Sequence, residues 1–374
     1  MRILLPILFI ALLVNCSGDS KKAEANPSAK TATSQPTSAP TTQPKKLIND
    51  QEKNFKTLKQ LTNGGDNAEA YFSFDNSKLV FQASNEAWGA ECDQIFMMDL
   101  NGAMNSKPPL LSTGKGRTTC SYFMPGDKSI LYASTHLADE ACPDSPRSVD
   151  GKYVWPIYES FDIFVSDLDG KIIKQLTKEP GYDAEATLSP DGKMIVFTSM
   201  RSGDLELYTM DIDGNNVKQV TSGLGYDGGA FFSPDGKKLV FRSSRPKTKE
   251  AVDNYKSFLD RGLVQPTNME IYTCNVDGSN LKQITKLGKA NWAPYYHPDG
   301  KKILFSTNHH KPSGRAFNIF SINEDGSDLQ QITYDDTFDA FPMFSYDGKY
   351  LVFSSNRNNG GTRDTNVFLA EWQN

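Results

Sequence analysis

The sequence predicts an all-β fold, a six-bladed β-propeller of four-stranded blades whose ring is closed by the N-terminal strand pairing into the last blade. Three observations lead to this prediction. A turn-and-strand motif recurs six times, each copy lies in a unit that divides into four short strands, and the strand missing from the last unit occurs ahead of the first. A motif repeated at such a period indicates a repeat architecture.

The recurring motif is a hairpin turn followed by an apolar strand, as in SPDGKMIVF from Ser189. Its Asp-Gly pair supplies the positive φ angles that a tight hairpin requires. Asn76 and Gly126 are expected to meet the same need in the degenerate copies. The copies recur at intervals of 44 to 65 residues and begin at Ser73, Met124, Ser189, Ser233, His297 and Ser345.

Each unit continues with a third strand, as in LELYTMD from Leu205, and with a second glycine turn that leads to a fourth strand. The sixth unit stops at its third strand, whereas residues 57–62 (TLKQLT) match the fourth strand LKQIT from Leu281. Pairing the N-terminal strand with the last blade explains both facts and leaves no exposed sheet edge. The glycine turns number five and lie at Gly102, Gly170, Gly214, Gly278 and Gly326.

The N-terminus predicts export. Residues 1–16, MRILLPILFIALLVNC, have one basic residue and a short apolar core, which is typical of a signal peptide. Cys16 resembles the acylated residue of a bacterial lipoprotein, so we expect a lipid anchor to the outer membrane, on its periplasmic or surface face. A plain signal peptide cut elsewhere stays open. Residues 17–50 are rich in Ser, Thr and Pro and predict a flexible tether, which leaves residues 51–374 for the propeller.

Composition excludes some functions. The net charge of −5 argues against nucleic-acid binding, which normally requires a basic face. After the first 20 residues no apolar run is long enough to span a bilayer, so no membrane span is expected in the propeller.

The hairpin Ser-Pro-Asp-Gly-Lys, the third strands LYTMDIDG and IYTCNVDG, and the closing Gln-x-Thr resemble the repeats of TolB-type propellers. The resemblance covers about residues 55–374. It implies a periplasm-facing propeller that binds another protein at one mouth of its central channel. We expect the propeller to be monomeric. TolB also has an N-terminal α/β domain, the part implied to contact TolA, where this chain has its tether.

The long insertions all lie in loops that join second to third strands: residues 85–93, 135–161 and 246–269. In a propeller these loops lie on one face, and rigid scaffolds carry function on such loops. We therefore expect a protein or peptide of the cell envelope to bind at this mouth of the channel.

Two rings of polar residues are predicted at this mouth. A largely acidic inner ring stands eight residues before each turn and comprises Asn67, Thr118, Asp183, Asp227, Asn291 and Asp339. A basic ring stands ten residues after each turn and comprises Asn85, His136, Arg201, Arg245, His309 and Arg357. Two interpretations stay open and are compatible: the rings face a ligand, or the arginines pair with aspartates of neighbouring blades.

Aromatic residues flank the inner ring at Tyr182, Tyr226, Trp292 and Phe338. They suit contact with a protein or peptide, and packing between blades is an equal alternative. We expect the aromatic residues three positions before each turn to be blade core.

The sequence favours binding over catalysis. It has no Gly-x-Ser-x-Gly elbow, His-Glu-x-x-His motif, P-loop or dinucleotide fingerprint. No cofactor, metal or catalytic residue is therefore predicted, since His136, His309 and His310 would need a loop to bring them together. The alternative is a lyase or hydrolase that acts on polysaccharide or cell-wall fragments through ring carboxylates.

Four cysteines follow Cys16. Cysteines in exported loops tend to pair. Cys120 and Cys142 can be bridged if the blade 2 insertion folds back, Cys92 competes as a partner for either, and Cys274 is expected to be a buried thiol.

Overall fold

Six antiparallel sheets form the body of the computed structural model, which describes residues 46–101, 107–311 and 316–373. The first strands of successive blades contact one another, and the first strand of blade 6 contacts that of blade 1. These contacts close a ring around a central channel and confirm the predicted six-bladed propeller. Gly102, Cys16 and nearly all of the predicted tether lie outside the described residues.

Each blade is a meander whose first strand lines the channel. Blade 1 comprises Asp66–Phe72, Lys78–Asn85 and Ala90–Asp99, and blade 2 comprises Thr118–Phe123, Ser129–Ser134, Asp162–Asp167 and Ile172–Gln175. Blade 3 comprises Asp183–Leu188, Met194–Ser199, Glu206–Asp211 and Lys218–Gln219, and blade 4 comprises Asp227–Phe232, Lys238–Ser243, Glu270–Asn275 and Lys282–Gln283. Blade 5 comprises Asn291–Tyr296, Lys302–Thr307, Asn318–Asn323 and Gln330–Gln331, and blade 6 comprises Asp339–Phe344, Tyr350–Ser355, Asn366–Trp372 and the N-terminal strand Phe55–Gln60.

The closure of the ring follows the sequence prediction. Phe55–Gln60 pairs antiparallel with Asn366–Trp372, with Leu58 opposite Ala370. In blade 1 the place of the fourth strand is taken by the segment at Leu110, which forms an antiparallel bridge to Phe96. The third strands of blade 6 and of blade 1 are thereby both paired within the chain.

The hairpin turns adopt the backbone that their residues favour. Gly192 has a φ of +69°, and Asn76 takes the same left-handed conformation with a φ of +59°. The hydroxyl of Ser189 donates to Asp191 Oδ1 at 2.7 Å and accepts from the backbone N–H of Met194 at 3.0 Å, which fixes the turn. The repeated Ser-x-Asp-Gly pattern therefore specifies the same turn wherever it occurs.

Alternate residues of the inner and second strands fill the space between blades. The aromatic side chains expected in the core are buried, with at most 7% of any of them exposed. Burial of a large apolar side chain contributes about 1.5–3 kcal/mol, so this layer stabilises the fold. Its members three positions before the turns are Phe72, Phe123, Phe232, Tyr296 and Phe344.

A β-bulge interrupts each first strand at the same place, two residues after the inner ring. The bulged residue has a left-handed backbone in each blade, with φ between +47° and +59°. Such a bend re-aims a side chain. The six bulged residues are Glu69, Cys120, Glu185, Gly229, Ala293 and Phe341.

The insertions of blades 2 and 4 join to form what we call the cap, residues 145–158 and 249–264. Trp155–Pro156 pairs antiparallel with Leu263–Val264, and Phe258 of the helix Lys249–Leu259 packs against Val154. Short strands Ser148–Val149 and Lys152–Tyr153 form a hairpin in the cap, and the 3-10 helix Glu86–Trp88 lies in the blade 1 insertion. Of the helices in the described ranges, none has the length and apolar character that a membrane crossing requires.

Candidate functional site

A cavity of about 370 Å³ lies beneath the cap at the loop-rich mouth of the channel. Trp155 of the cap is half-buried there, with its ring 5.0 Å from that of Trp292. A groove of about 610 Å³ shares this part of the cap with the cavity and extends between the cap and the loops of blade 6. The four aromatic residues predicted at the mouth all line the cavity: Tyr182, Tyr226, Trp292 and Phe338.

The inner ring lies where the sequence predicted, at the start of each first strand, but its side chains are buried. Asn67 Nδ2 donates to the carbonyl of Thr365 in blade 6 at 2.8 Å. Asn291 Nδ2 donates to Met269 O in blade 4 at 2.7 Å. These two asparagines therefore fasten blades 1 and 5 to the blades before them in the ring. No more than 2% of any member is exposed: Asn67, Thr118, Asp183, Asp227, Asn291 and Asp339.

The arginines pair with aspartates of their own blade, which corrects the predicted pairing across blades. Arg201 Nη2 lies 2.9 Å from Asp183 Oδ2, and Arg357 Nη2 lies 2.8 Å from Asp339 Oδ2. The reason is geometric, because the end of the second strand lies beside the start of the first strand in the same hairpin. Arg245 and Asp227 form the third such pair.

The side chains of the basic ring pack against other residues of the blades. Arg201 Nε donates to Ser199 Oγ at 2.9 Å, and its guanidinium lies 5.2 Å from the ring centre of Phe197. Asn85 instead caps the short 3-10 helix. Contact with an aromatic ring recurs in His136 with Phe164, Arg245 with Tyr272, His309 with Phe320 and Arg357 with Phe353.

The histidines do not converge. Burial lowers the pKa of His136 and of His309 below the usual 6.5, so both rings are neutral at pH 7. His310 Nε2 lies 2.8 Å from Asn318 Oδ1. Within the described ranges, no group of three or more His, Cys, Asp or Glu side chains is placed to hold a metal ion.

The floor of the cavity holds a buried ion pair that the sequence interpretation missed. Glu185 pairs with Arg242, of which only 10% of the side chain is exposed. The hydroxyl of Tyr226 donates to Glu185 Oε1 at 2.6 Å, and the N–H of Gly229 donates to Oε2 at 2.8 Å. Burial raises the pKa of Glu185, but Arg242 and these donors outweigh it and the pKa is lowered.

A second carboxyl, Glu69, faces the same cavity from blade 1. The Cys120 thiol and the Tyr71 hydroxyl both donate to its Oε2, at 2.9 Å and 3.2 Å. Burial raises the pKa of Glu69, and the nearby charge of Glu185 adds to this effect. The pKa of Cys120 also rises well above 9.0, because the thiol is buried next to Glu69.

The disulfide joins Cys92 to Cys142, with 5.9 Å between the Cα atoms. It ties the blade 2 insertion to blade 1. Of the pairings left open by the sequence, the one between Cys120 and Cys142 is thus wrong: Cys120 points into the channel from its bulge, where it hydrogen-bonds Glu69. Cys274 is a buried thiol as predicted, with a pKa raised to about 12 by burial.

Three polar residues of the cavity whose role was not predicted share one position in the repeat. Glu69, Cys120 and Glu185 stand two residues after the inner ring, at the bulge of each first strand. A search for polar residues at a fixed offset in every repeat would have found them. Arg242 carries no such signal, because it belongs to the second strand and reaches the floor only past Gly229.

Comparisons with known proteins agree on the fold. Residues 156–258 match the family model of the TolB beta propeller domain. A protein from Agrobacterium tumefaciens assigned as TolB shares 19% identity with a TM-score of 0.52, over 83% of this chain and 91% of that one. TolB from Acinetobacter baumannii shares 20% identity with a TM-score of 0.49, over 82% of this chain and 63% of that one.

An oligogalacturonate lyase in complex with manganese shares 16% identity with a TM-score of 0.46, over 84% of this chain and 93% of that one. No curated protein sequence matches the chain. At 19% identity, the likeness to the Agrobacterium tumefaciens structure shows the propeller fold alone.

Proposed function

We propose that this chain, a TolB-like six-bladed β-propeller, is a lipid-anchored envelope protein that binds a protein or peptide at the capped mouth of its channel. One observation carries the proposal: an open groove of about 610 Å³ leads to an aromatic cavity of about 370 Å³ on the face that bears the long insertions. A groove joined to a deep pocket suits an extended segment with one anchoring side chain.

The lining of the groove has the character of a protein-binding surface. Tyr153 is 47% exposed, and Trp155 and Phe338 are half-buried beside it. Arg147 and Arg363 lie on its two sides. Aromatic side chains and arginines are the residues that most often dominate binding energy at protein interfaces, because they bury a large area at small entropic cost.

Export and anchoring rest on the N-terminus and on the disulfide. Cys16 follows a signal-like apolar segment, and the bond between Cys92 and Cys142 suits an oxidising compartment. A Cys16→Ser variant should leave the membrane fraction and lose incorporation of labelled palmitate. A variant that stays membrane-bound without label would contradict the lipid anchor.

Photo-crosslinking in cells tests the binding surface. A benzoyl-phenylalanine probe replaces Tyr153 in the groove, and a second probe replaces Lys237, an exposed residue of a hairpin turn on the opposite face. We expect one dominant partner from Tyr153 and not from Lys237, and we expect Trp155→Ala to reduce that capture. The same proteins captured from both positions, or none from either, would contradict the proposal.

A second candidate is a lyase or hydrolase that acts on polysaccharide or cell-wall fragments. The observation in its favour is that two carboxyls of one cavity have opposite pKa shifts, raised at Glu69 and lowered at Glu185. Such a division is the one expected of an acid and a base. Release of reducing ends or peptides from purified wall fragments by the wild type, abolished in Glu69→Gln, would favour this candidate over binding.

A further inference from the structure

We propose that Glu69 binds a primary ammonium group, either the N-terminus of a peptide or a lysine side chain, carried into the cavity by the bound partner. This inference rests on the proposed function and names the chemical group that the cavity selects. It follows from the charges, the hydrogen bonds and the walls of the cavity.

The carboxyls of the cavity outnumber its guanidinium groups by one. Three carboxyls line it, Glu69, Asp93 and Glu185, beside two guanidinium groups. Asp93 pairs with Arg117, and Glu185 pairs with Arg242. Glu69 has no cationic partner within salt-bridge distance among the described residues. Glu69 is half-buried and, of the described carboxyls of the cavity, is the one that forms no ion pair, so a cationic ligand would complete the site.

The hydrogen bonds of Glu69 leave one of its oxygens open. Both of its donors, Cys120 Sγ and Tyr71 OH, reach Oε2. Within the described part of the chain no donor reaches Oε1. An ammonium group has three N–H donors and no acceptor, so it matches an oxygen that needs donors and offers none.

The backbone holds Glu69 in this position at a cost. Its φ of +52° is left-handed, which a side chain other than glycine adopts only under constraint. Blade 4 has Gly229 at the equivalent bulge, so the fold accepts glycine there. The left-handed conformation recurs at the bulge of every blade, and in blade 1 this bend aims a carboxyl into the channel.

The walls of the cavity suit a cation. The guanidinium of Arg242 already lies 5.2 Å from the Trp155 ring and 5.0 Å from the Tyr226 ring. Trp292 and Tyr182 present further aromatic surface to the same space. Aromatic faces attract ammonium ions and do so more strongly where water is excluded. The lining therefore combines a carboxylate with aromatic rings, which is the usual composition of an amine site.

Binding of an ammonium should depend on pH in a way that identifies the site. Burial raises the pKa of Glu69 above the usual 4.5, Glu185 adds to the shift, and Cys120 and Arg242 oppose it. Because the cation stabilises the ionised carboxyl, binding should release protons, and affinity should rise with pH above 4.5. It should then fall as the ligand loses its own proton, near about 8 for an N-terminus and about 10.4 for lysine.

Calorimetry with three synthetic peptides tests the inference. The first is Ala-Phe-Ala-Phe-amide with a free N-terminus, the second is acetyl-Ala-Phe-Lys-Phe-amide, and the third is acetyl-Ala-Phe-Ala-Phe-amide, which has no amine. The full-length protein is compared with Glu69→Gln and with Glu179→Gln, a matched change at an exposed residue. We expect at least a tenfold preference for the first or second peptide over the third, lost in Glu69→Gln and kept in Glu179→Gln.

The outcomes separate this inference from the proposed function. Equal binding of all three peptides would overturn the ammonium site while peptide binding stands, and so would tight binding of an amine by Glu69→Gln. No binding of either amine peptide to the wild type would also overturn it, and the crosslinking experiment would still decide the proposed function. Proton release, measured with the wild type in two buffers, provides a test that does not depend on the folding of a variant.

Discussion

Replacing Arg242 with methionine should destabilise the protein, because it leaves the Glu185 carboxylate buried without its counter-charge. Only 9% of the Glu185 side chain and 10% of the Arg242 side chain are exposed. Removal of one partner of a buried pair costs about 3–5 kcal/mol, whereas replacing both partners by groups of similar volume is close to neutral. We therefore expect a loss of about 3–5 kcal/mol in the free energy of unfolding of Arg242→Met at pH 7.5.

The loss should depend on pH. In the wild type the pKa of Glu185 is lowered below 4.5. The pair therefore stabilises the fold above the pKa of the unfolded chain, and this contribution is lost as pH falls through the folded pKa. Without Arg242, burial dominates and the pKa of Glu185 should be raised. The carboxyl then takes up a proton on acidification, so the deficit of the variant should shrink toward pH 4.5.

Urea unfolding followed by tryptophan fluorescence at pH 7.5 and 4.5 provides the measurement. The double variant Glu185→Gln with Arg242→Met should recover most of the loss at pH 7.5. Arg363→Met, at an exposed position, serves as the matched control and should change stability by no more than about 0.5 kcal/mol. If the double variant is no more stable than Arg242→Met, or the deficit is equal at both pH values, the reasoning fails.

Three further predictions concern the disulfide, the bulge and a buried carboxyl. Cys92→Ser should cost about 2–4 kcal/mol, and reductant should lower the melting temperature of the wild type but not of this variant. Gly229→Ala should lower the urea midpoint of unfolding more than Gly203→Ala. Both glycines have positive φ, but only at Gly229 would a Cβ lie 1.9 Å from Arg242 Nη1. Equal effects of the two substitutions would refute this. Burial raises the pKa of Glu206 to about 7, so its contribution to stability is present at low pH and is lost as pH rises through 7. Glu206→Gln should flatten this decline of the free energy of unfolding with pH. An unchanged pH dependence in the variant would contradict the assignment.

The inner strands illustrate how far the sequence predicted the site. It located the ring that includes Asp183, because one member occurs in each repeat at a fixed distance from a recognisable turn, and it located the aromatic walls at Tyr226 and Trp292 because they flank that ring. One of its two interpretations took the aspartates as the surface that a ligand meets, and the other paired them with arginines. The structure buries the aspartates in pairs with arginines of blades 3, 4 and 6. The carboxyls Glu69 and Glu185, which reach the cavity, belong to the bulge two residues later.

The repeat, the number of blades, the hairpin turns and the closing strand were determined by the sequence alone. These features depend on local chemistry, such as the left-handed glycine of a turn, or on a pattern that recurs along the chain. Only the tertiary structure decided the pairing of Cys92 with Cys142, the joining of two insertions into the cap, and the entry of Arg242 into the channel beside Glu69. The disulfide and the cap depend on distances between segments that lie far apart in the chain. The polar groups of the channel depend on the register shift at the bulge, which changes the direction of a side chain without changing the pattern of residues.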